Sequence, residues 1–129
     1  MRIDIISCVP ALLESPLSHS ILQRARDRGL LEVHIHDLRD HTPYKHGQVD
    51  DYPYGGGAGM VLMVEPLARC VRHLQQGHSY DEVIFLTPDG EVFDQHIANE
   101  LSLKQSLILI AGHYKGIDQR ARDLLVTRE

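Results

Sequence analysis

The sequence predicts an α/β fold, a mostly parallel sheet with helices on both faces. Three observations carry that expectation. Short aliphatic runs alternate along the chain with stretches of helical spacing, the pattern of strand–helix–strand units joined by right-handed crossovers. The run Leu107–Ala111 is apolar without interruption, as suits a central strand covered on both sides. Aromatic residues are scarce, with two Phe, five Tyr and no Trp in 129 residues, so the core is aliphatic and suits layered α/β packing.

Taken in order, Arg2–Ile6 reads as a first strand because Ile3, Ile5 and Ile6 supply β-branched bulk. Ser15-Pro16 predicts a helix start, with Ser as cap and Pro in the first turn, and the helix runs through Ile21, Leu22 and Ala25 to Arg28. Gly29 predicts its stop. Leu31, Val33 and Ile35 then alternate with Glu32, His34 and His36, a period of two that predicts a second strand with both histidines exposed on one face. Residues 39–59 show no periodicity. So long a loop in a small domain is uncommon and usually functional. A helix is expected from Glu65-Pro66 through Leu67, Cys70, Val71 and Leu74. Val83–Leu86 predicts the third strand, stopped by the turn chemistry of Thr87-Pro88-Asp89-Gly90. Asp94 caps a short helix bearing Ile97, Ala98 and Leu101; Leu107–Ala111 is the fourth strand; a last helix follows Asp118 through Ala121, Leu124 and Leu125. Val126–Glu129 offers no capping Gly or Pro, which reads as a chain interrupted in mid-course.

Composition narrows the function. Thirteen Lys and Arg against 18 Asp and Glu give a formal charge of −5, which argues against binding nucleic acid through a diffuse positive field. Any polynucleotide contact is then local or shared with something outside the chain. Cys8 and Cys70 lie far apart in sequence and outside any C-x-x-C spacing, so two reduced, partly buried thiols are expected. Arg2 is followed by only a short apolar stretch containing Asp4, and no segment approaches the roughly 20 apolar residues of a membrane span. A soluble, cytoplasmic protein is the expectation.

Ligands of open parallel sheets collect at the carboxyl ends of strands. Two such ends are unusual here. The third strand leaves through Leu86-Thr87-Pro88-Asp89-Gly90 and the fourth through Gly112-His113-Tyr114-Lys115-Gly116-Ile117-Asp118. Side by side, these turns would make a slot of exposed main chain suited to an adenine, packed by Leu86, Ile110 or Tyr114. Taken singly, each could be no more than a tight turn. A third feature is Asp50-Asp51-Tyr52-Pro53-Tyr54-Gly55-Gly56-Gly57-Ala58-Gly59-Met60, whose glycines let a ligand or another chain approach the backbone. The acids beside it either accept hydrogen bonds from a purine edge or are solvated. Neither G-x-G-x-x-G nor the Gly-Lys-Ser/Thr ending of a P-loop occurs. Nine histidines include His41, His46 and His113, yet no zinc-ligand spacing, so no metal site is assigned. Arg24 and Arg28, one helical turn apart, either touch phosphate or form an ordinary solvated face with Glu14 and Asp27.

The motifs 50–60 and 112–118 together resemble the paired signature of bacterial tRNA (guanine-N1)-methyltransferases, and Ile5–Pro10 and Gly29-Leu30-Leu31 are similar to the same family. The resemblance runs the length of the chain. It implies a SPOUT-type domain, whose later strands thread a trefoil knot that this chain would enter without completing. Residues 1–129 would be the N-terminal cofactor-binding part, with a helical C-terminal domain outside the chain. It also implies transfer of methyl from S-adenosylmethionine to N1 of guanosine at tRNA position 37. The partners implied are the tRNA anticodon region and a second copy in a homodimer, with no membrane and no DNA.

By the same resemblance, the cofactor lies against Leu86, Thr87, Pro88, Gly90, Gly112, Tyr114 and Gly116. The guanine meets His46, Asp50, Tyr54, Gly55 and Gly59. The general base and an assisting arginine fall beyond Glu129. Magnesium dependence is associated with the family, but His113 and Lys115 stand where it often has Arg and Glu, which removes an acidic ligand. A different class of reading is a non-catalytic RNA- or nucleotide-binding module on the same α/β core.

Overall fold

A computed structural model describes residues 1–129. Strand β1 (Arg2–Ser7) leads into α1, a single turn at Ala11–Glu14, then a 3-10 turn at Pro16–Ser18 and helix α2 (Ser20–Asp27). The single helix expected over 15–28 is therefore broken. Pro16 has no amide with which to continue α1, and the Ser18 hydroxyl donates to the Glu14 carbonyl at 2.6 Å in place of a backbone donor. His19 is extended at φ −134° and ψ 162°. Ser15-Pro16 thus ends one helical turn rather than starting α2. The stop of α2 is as expected. Gly29 has φ 71°, its N–H donates to Arg26 O at 3.0 Å, and Leu30 N–H donates to Ala25 O at 2.9 Å.

Strand β2 (Glu32–Asp37) follows, and then the aperiodic stretch resolves into short elements. These are 3-10 turns at Leu38–His41 and Lys45–Gly47, strand β3 (Asp50–Asp51), and strand β4 (Val61–Leu62) antiparallel to it. The glycine run is the turn of this small hairpin. Leu38, Val49 and Leu62 hold the segment in place by inserting into the core, each at most 1% exposed. The rest of the chain is helix α3 (Val64–Gly77), strand β5 (Glu82–Leu86), helix α4 (Gln95–Ser102), strand β6 (Ser106–Ala111) and helix α5 (Gln119–Leu125). Asp94 caps α4 by accepting from Ile97 N–H at 2.9 Å, and Asp118 caps α5 by accepting from Arg120 N–H at 2.9 Å.

The main sheet has the order β2-β1-β6-β5, and every pairing is parallel. The apolar run predicted to be central is β6, flanked on both sides. One face, carrying Ile6, Val83, Phe85, Ile108 and Ile110, packs on Leu67, Cys70, Val71 and Leu74 of α3 and Ala121 of α5. Each of the larger aliphatic side chains buried there contributes about 1.5–3 kcal/mol. On the other face, Ile3, Ile84, Leu107 and Leu109 line an apolar hollow of about 620 Å³ together with Ala98 and Leu101 of α4. After α5 the chain returns along the free edge of β5, with Thr127 N–H donating to Val83 O at 2.8 Å and Phe85 N–H to Arg128 O at 3.0 Å.

One polar cluster lies inside. Asp4 is fully buried and accepts from Arg2 at 2.8 and 3.1 Å and from the Tyr80 hydroxyl at 2.8 Å, and it pairs with His36 Nε2 at 2.7 Å. His36 is therefore not the freely exposed residue that strand alternation predicts. A buried carboxylate in β1 draws it inward, while its neighbour His34 pairs with exposed Glu32. Burial alone would raise the Asp4 pKa, but hydrogen bonds to His36, Arg2 and Tyr80 outweigh it and hold the carboxyl well below the usual range. Both cysteines are free and buried. No helix is long and apolar enough to cross a membrane.

Candidate functional site

Strands β5 and β6 are neighbours, and their last residues, Leu86 and Ala111, are register partners. Their exit turns therefore start side by side at the carboxyl edge of the sheet, where ligands of this architecture collect. Gly112 sits directly against the β5 end. A Cβ there would lie 3.1 Å from the Phe85 ring and 3.5 Å from Leu86 O, so a side chain at this position would have to push the ring aside by a few tenths of an ångström.

A hollow of about 330 Å³ opens at the β5 exit, lined by Leu86, Thr87, Pro88 and Gly90. That is near the lower end of the about 300–1,000 Å³ typical of small-molecule sites. Its other walls are Glu91, Val92 and Phe93, Ile97 and Leu101 of α4, and Arg128 and Glu129. Gly90 touches the returning chain so closely that a Cβ would stand 2.5 Å from the Glu129 carbonyl carbon. Leu86 and Phe93 are large apolar groups left 52% and 71% exposed here, a surface suited to a flat heterocycle. Arg122 lies 5.5 Å above the Phe85 ring and pairs with Glu129 and Asp89. A hydrogen bond from Thr87, followed by those from its own backbone and from Arg122, keeps the Asp89 carboxyl below its ordinary pKa.

Gly112, Tyr114 and Gly116 do not line that hollow. They border the glycine hairpin instead. Lys115 N–H donates to Met60 O, Leu62 N–H to Gly116 O and Asp118 N–H to Leu62 O, each at 3.0 Å, and Leu62 bridges Ile117. The Lys115 stem lies 3.1 Å from where a Gly59 Cβ would be, and Gly59 adopts φ 94°, so space and conformation both select glycine. Tyr114, at φ 58°, turns its ring edge-on to His113 at 4.5 Å. The two sequence motifs thus form one joined surface, with Gly112 as its contact with the β5 turn.

Of the residues expected at the guanine, Tyr54 is fully exposed beside a second hollow of about 600 Å³ shared with Pro53, Val61, Ile117, Asp118, Gln119 and Arg120. Asp118 and Arg120 pair there at 2.8 Å. That hydrogen bond keeps the Asp118 pKa low against the opposing effect of burial. Asp50 is half-buried at the base of the hairpin, opposite Leu62. His46 stands exposed in its 3-10 turn at φ 59°, and Gly55 lies open to solvent at the tip. His46 does not line the Tyr54 hollow. Phe93, Arg120 and Arg128 border these hollows without a local motif to mark them. Only the apolar pair Val92-Phe93, standing just before a helix cap, was a usable signal.

Residues 1–129 match the family model described as tRNA (guanine-1)-methyltransferase TrmD. The chain belongs to that family. Two curated family relatives named tRNA (guanine-N(1)-)-methyltransferase align over the whole chain. The one from Cytophaga hutchinsonii is 57% identical and the one from Bacteroides fragilis 56%, with the chain covering 55% and 57% of their lengths. Among solved structures, the tRNA (m1G37) methyltransferase from Aquifex aeolicus superposes with a TM-score of 0.88 at 34% identity, over 95% of this chain and 56% of that one. The chain spans just over half the length of the curated relatives it matches.

This chain offers no ready-made cluster of protein ligands for a metal ion. No three His, Cys, Asp or Glu side chains converge on a common point, and position 115 carries an ammonium group, which repels a cation.

Proposed function

We propose that the full-length protein transfers the methyl group of S-adenosylmethionine to N1 of guanosine at position 37 of tRNA, acting in the cytoplasm as a homodimer. The observation that carries this reading is the junction of motifs. The glycine hairpin and the loop 112–118 are hydrogen-bonded into one surface, and Gly112 presses that surface against the β5 turn. A donor lying on the β5 turn and a guanine held by the hairpin would then face each other across Gly112. The names of the relatives support the substrate.

S-adenosylmethionine, when bound, supplies an activated methyl on a sulfonium. In this chain Leu86, Thr87, Pro88 and Gly90 would hold it, with Leu86 and Phe93 offering apolar surface to its adenine and Gly112, Tyr114 and Gly116 closing the side toward the guanine. Asp50 and Tyr54 would orient the purine, by accepting from its edge and by covering its face. This holds donor and acceptor in line, the main contribution a protein makes to such a displacement. As the N1–carbon bond forms and the carbon–sulfur bond breaks, the N1 proton must leave. Following the family resemblance, the base and an assisting arginine are assigned to the part of the relatives' length that this chain does not span.

The experiment is methyl transfer by the full-length protein from labelled S-adenosylmethionine to tRNA with G37, beside tRNA with A37. Label recovered as N1-methylguanosine from the first alone supports the reading. Binding of tRNA without cofactor binding or transfer would instead make the protein a non-catalytic RNA-binding module.

A further inference from the structure

Helix α3 presents two faces. Leu67, Cys70, Val71 and Leu74 are buried, while Arg69, Arg72, His73 and Gln76, spaced i, i+3, i+4 and i+7, form one exposed polar stripe. The 3-10 turn after β2 packs beside that stripe and brings Asp40, His41 and Thr42 to it, bordering a shallow, open recess of about 420 Å³ with no apolar lining residue. The His41 and His73 rings stand 5.4 Å apart across it. We infer that this recess is a phosphate site that grips one backbone phosphodiester of the bound RNA, with Arg72 as its principal contact.

Charge and chemistry point to that ligand. Five other arginines, Arg2, Arg69, Arg120, Arg122 and Arg128, are paired with carboxylates; Arg72 has neither an ion pair nor a side-chain hydrogen bond. Arg69 is partly offset by Glu65 at 3.0 Å, and Asp40 stands on the rim. Burial, and then the neighbouring His73, keep the His41 pKa below its ordinary value, so His41 offers a neutral N–H donor rather than a second full charge. One free guanidinium flanked by imidazole and amide donors matches a singly charged phosphodiester, and falls short of a di- or triphosphate. On a chain of net charge −5, such a local cation is what an acidic protein needs to hold RNA.

The position fits as well. One side of the recess is the turn that leaves the carboxyl end of β2. It is tied to the segment leading into the glycine hairpin, because the Thr42 hydroxyl donates to Gln48 O and Arg39 to Gly47 O at 3.2 Å. A strand entering the hairpin would lay a neighbouring phosphate there. The inference rests on the reading of the full-length protein as a tRNA enzyme, and its test separates the two.

The test uses the full-length protein with Arg72→Ala, Arg72→Lys and His73→Ala. The dissociation constant for tRNA is measured between 50 and 200 mM KCl, alongside the affinity for S-adenosylhomocysteine. Arg72→Ala should weaken tRNA binding about 3- to 10-fold and lower the slope of log affinity against log salt by about one, with Arg72→Lys restoring most of both. His73→Ala should weaken it less, and cofactor affinity should not move. Inorganic phosphate titrated against the imidazole NMR signals of His41 and His73 gives a readout that needs no tRNA. Saturable shifts in the wild type, lost in Arg72→Ala, are expected even if no methyl transfer is found. Absence of those shifts would overturn the site. Phosphate binding with an unchanged tRNA constant and slope would overturn its assignment to RNA.

Discussion

Replacing Asp4 by Ala in the full-length protein should be among the most damaging single changes in the sheet. The carboxylate is fully buried in β1 and is the shared partner of Arg2, His36 and Tyr80. Its removal leaves a guanidinium, an imidazole and a phenol facing a void at the sheet interior. Arg2 retains Glu32 at 3.0 Å, so the guanidinium is not orphaned. His36 has no other side-chain hydrogen bond. Removing one member of a buried charged cluster costs about 3–5 kcal/mol, a large part of the about 5–15 kcal/mol that holds a domain folded. Tyr80→Phe, which deletes a single donor, should cost about 1 kcal/mol. Chemical denaturation monitored by circular dichroism measures both.

The pH dependence of that network follows from its sign. The folded pKa of Asp4 is depressed, so its stabilisation is present above the ordinary carboxylate pKa and is lost as pH falls through the lower folded value. Wild-type stability should therefore decline on acidification below about pH 4, and the Asp4→Asn profile should be flatter there. A loss under about 1 kcal/mol for Asp4→Ala, with an unchanged acid limb, would refute the reasoning that this carboxylate organises the cluster.

Further outcomes follow from the site. Gly112→Val forces its side chain into the Phe85 ring, so it should cost about 1–3 kcal/mol by overpacking and weaken S-adenosylhomocysteine binding more than Pro88→Ala does; calorimetry on both variants checks this. Asp50→Ala should lower methyl transfer more than cofactor affinity, and equal losses would remove Asp50 from the guanine side. The Cys70 thiol, pushed up to about 12 by burial, and Cys8, also raised by burial, should resist a thiol-specific reagent at pH 8 until denaturant is added.

Much of the fold was legible because local signals were strong. Period two in Leu31–His36, the apolar run of β6, Gly29, Asp94 and Asp118 each mark an element by a mechanism that acts over a few residues. What failed turned on single local groups, on very short strands or on partners far away in sequence. Ser15-Pro16 looked like a helix start, yet the missing Pro16 amide and the Ser18 hydroxyl broke the helix instead. His36 looked exposed because nothing in β2 shows that Asp4, 32 residues earlier, lies opposite. The hairpin of β3 and β4 escaped notice because each strand is two residues long. At the site, adjacency of the two exit turns followed from strand order, but their division of labour did not. Gly112–Gly116 closes on the glycine hairpin rather than on the β5 hollow because backbone pairing between Met60–Leu62 and Lys115–Asp118 captures it.

The most direct test is amide hydrogen exchange of the full-length protein with and without S-adenosylhomocysteine. One donor site spanning both exit turns predicts slowed exchange at 86–90 and at 112–116 together. Protection confined to one of those turns, or appearing in neither, would contradict it.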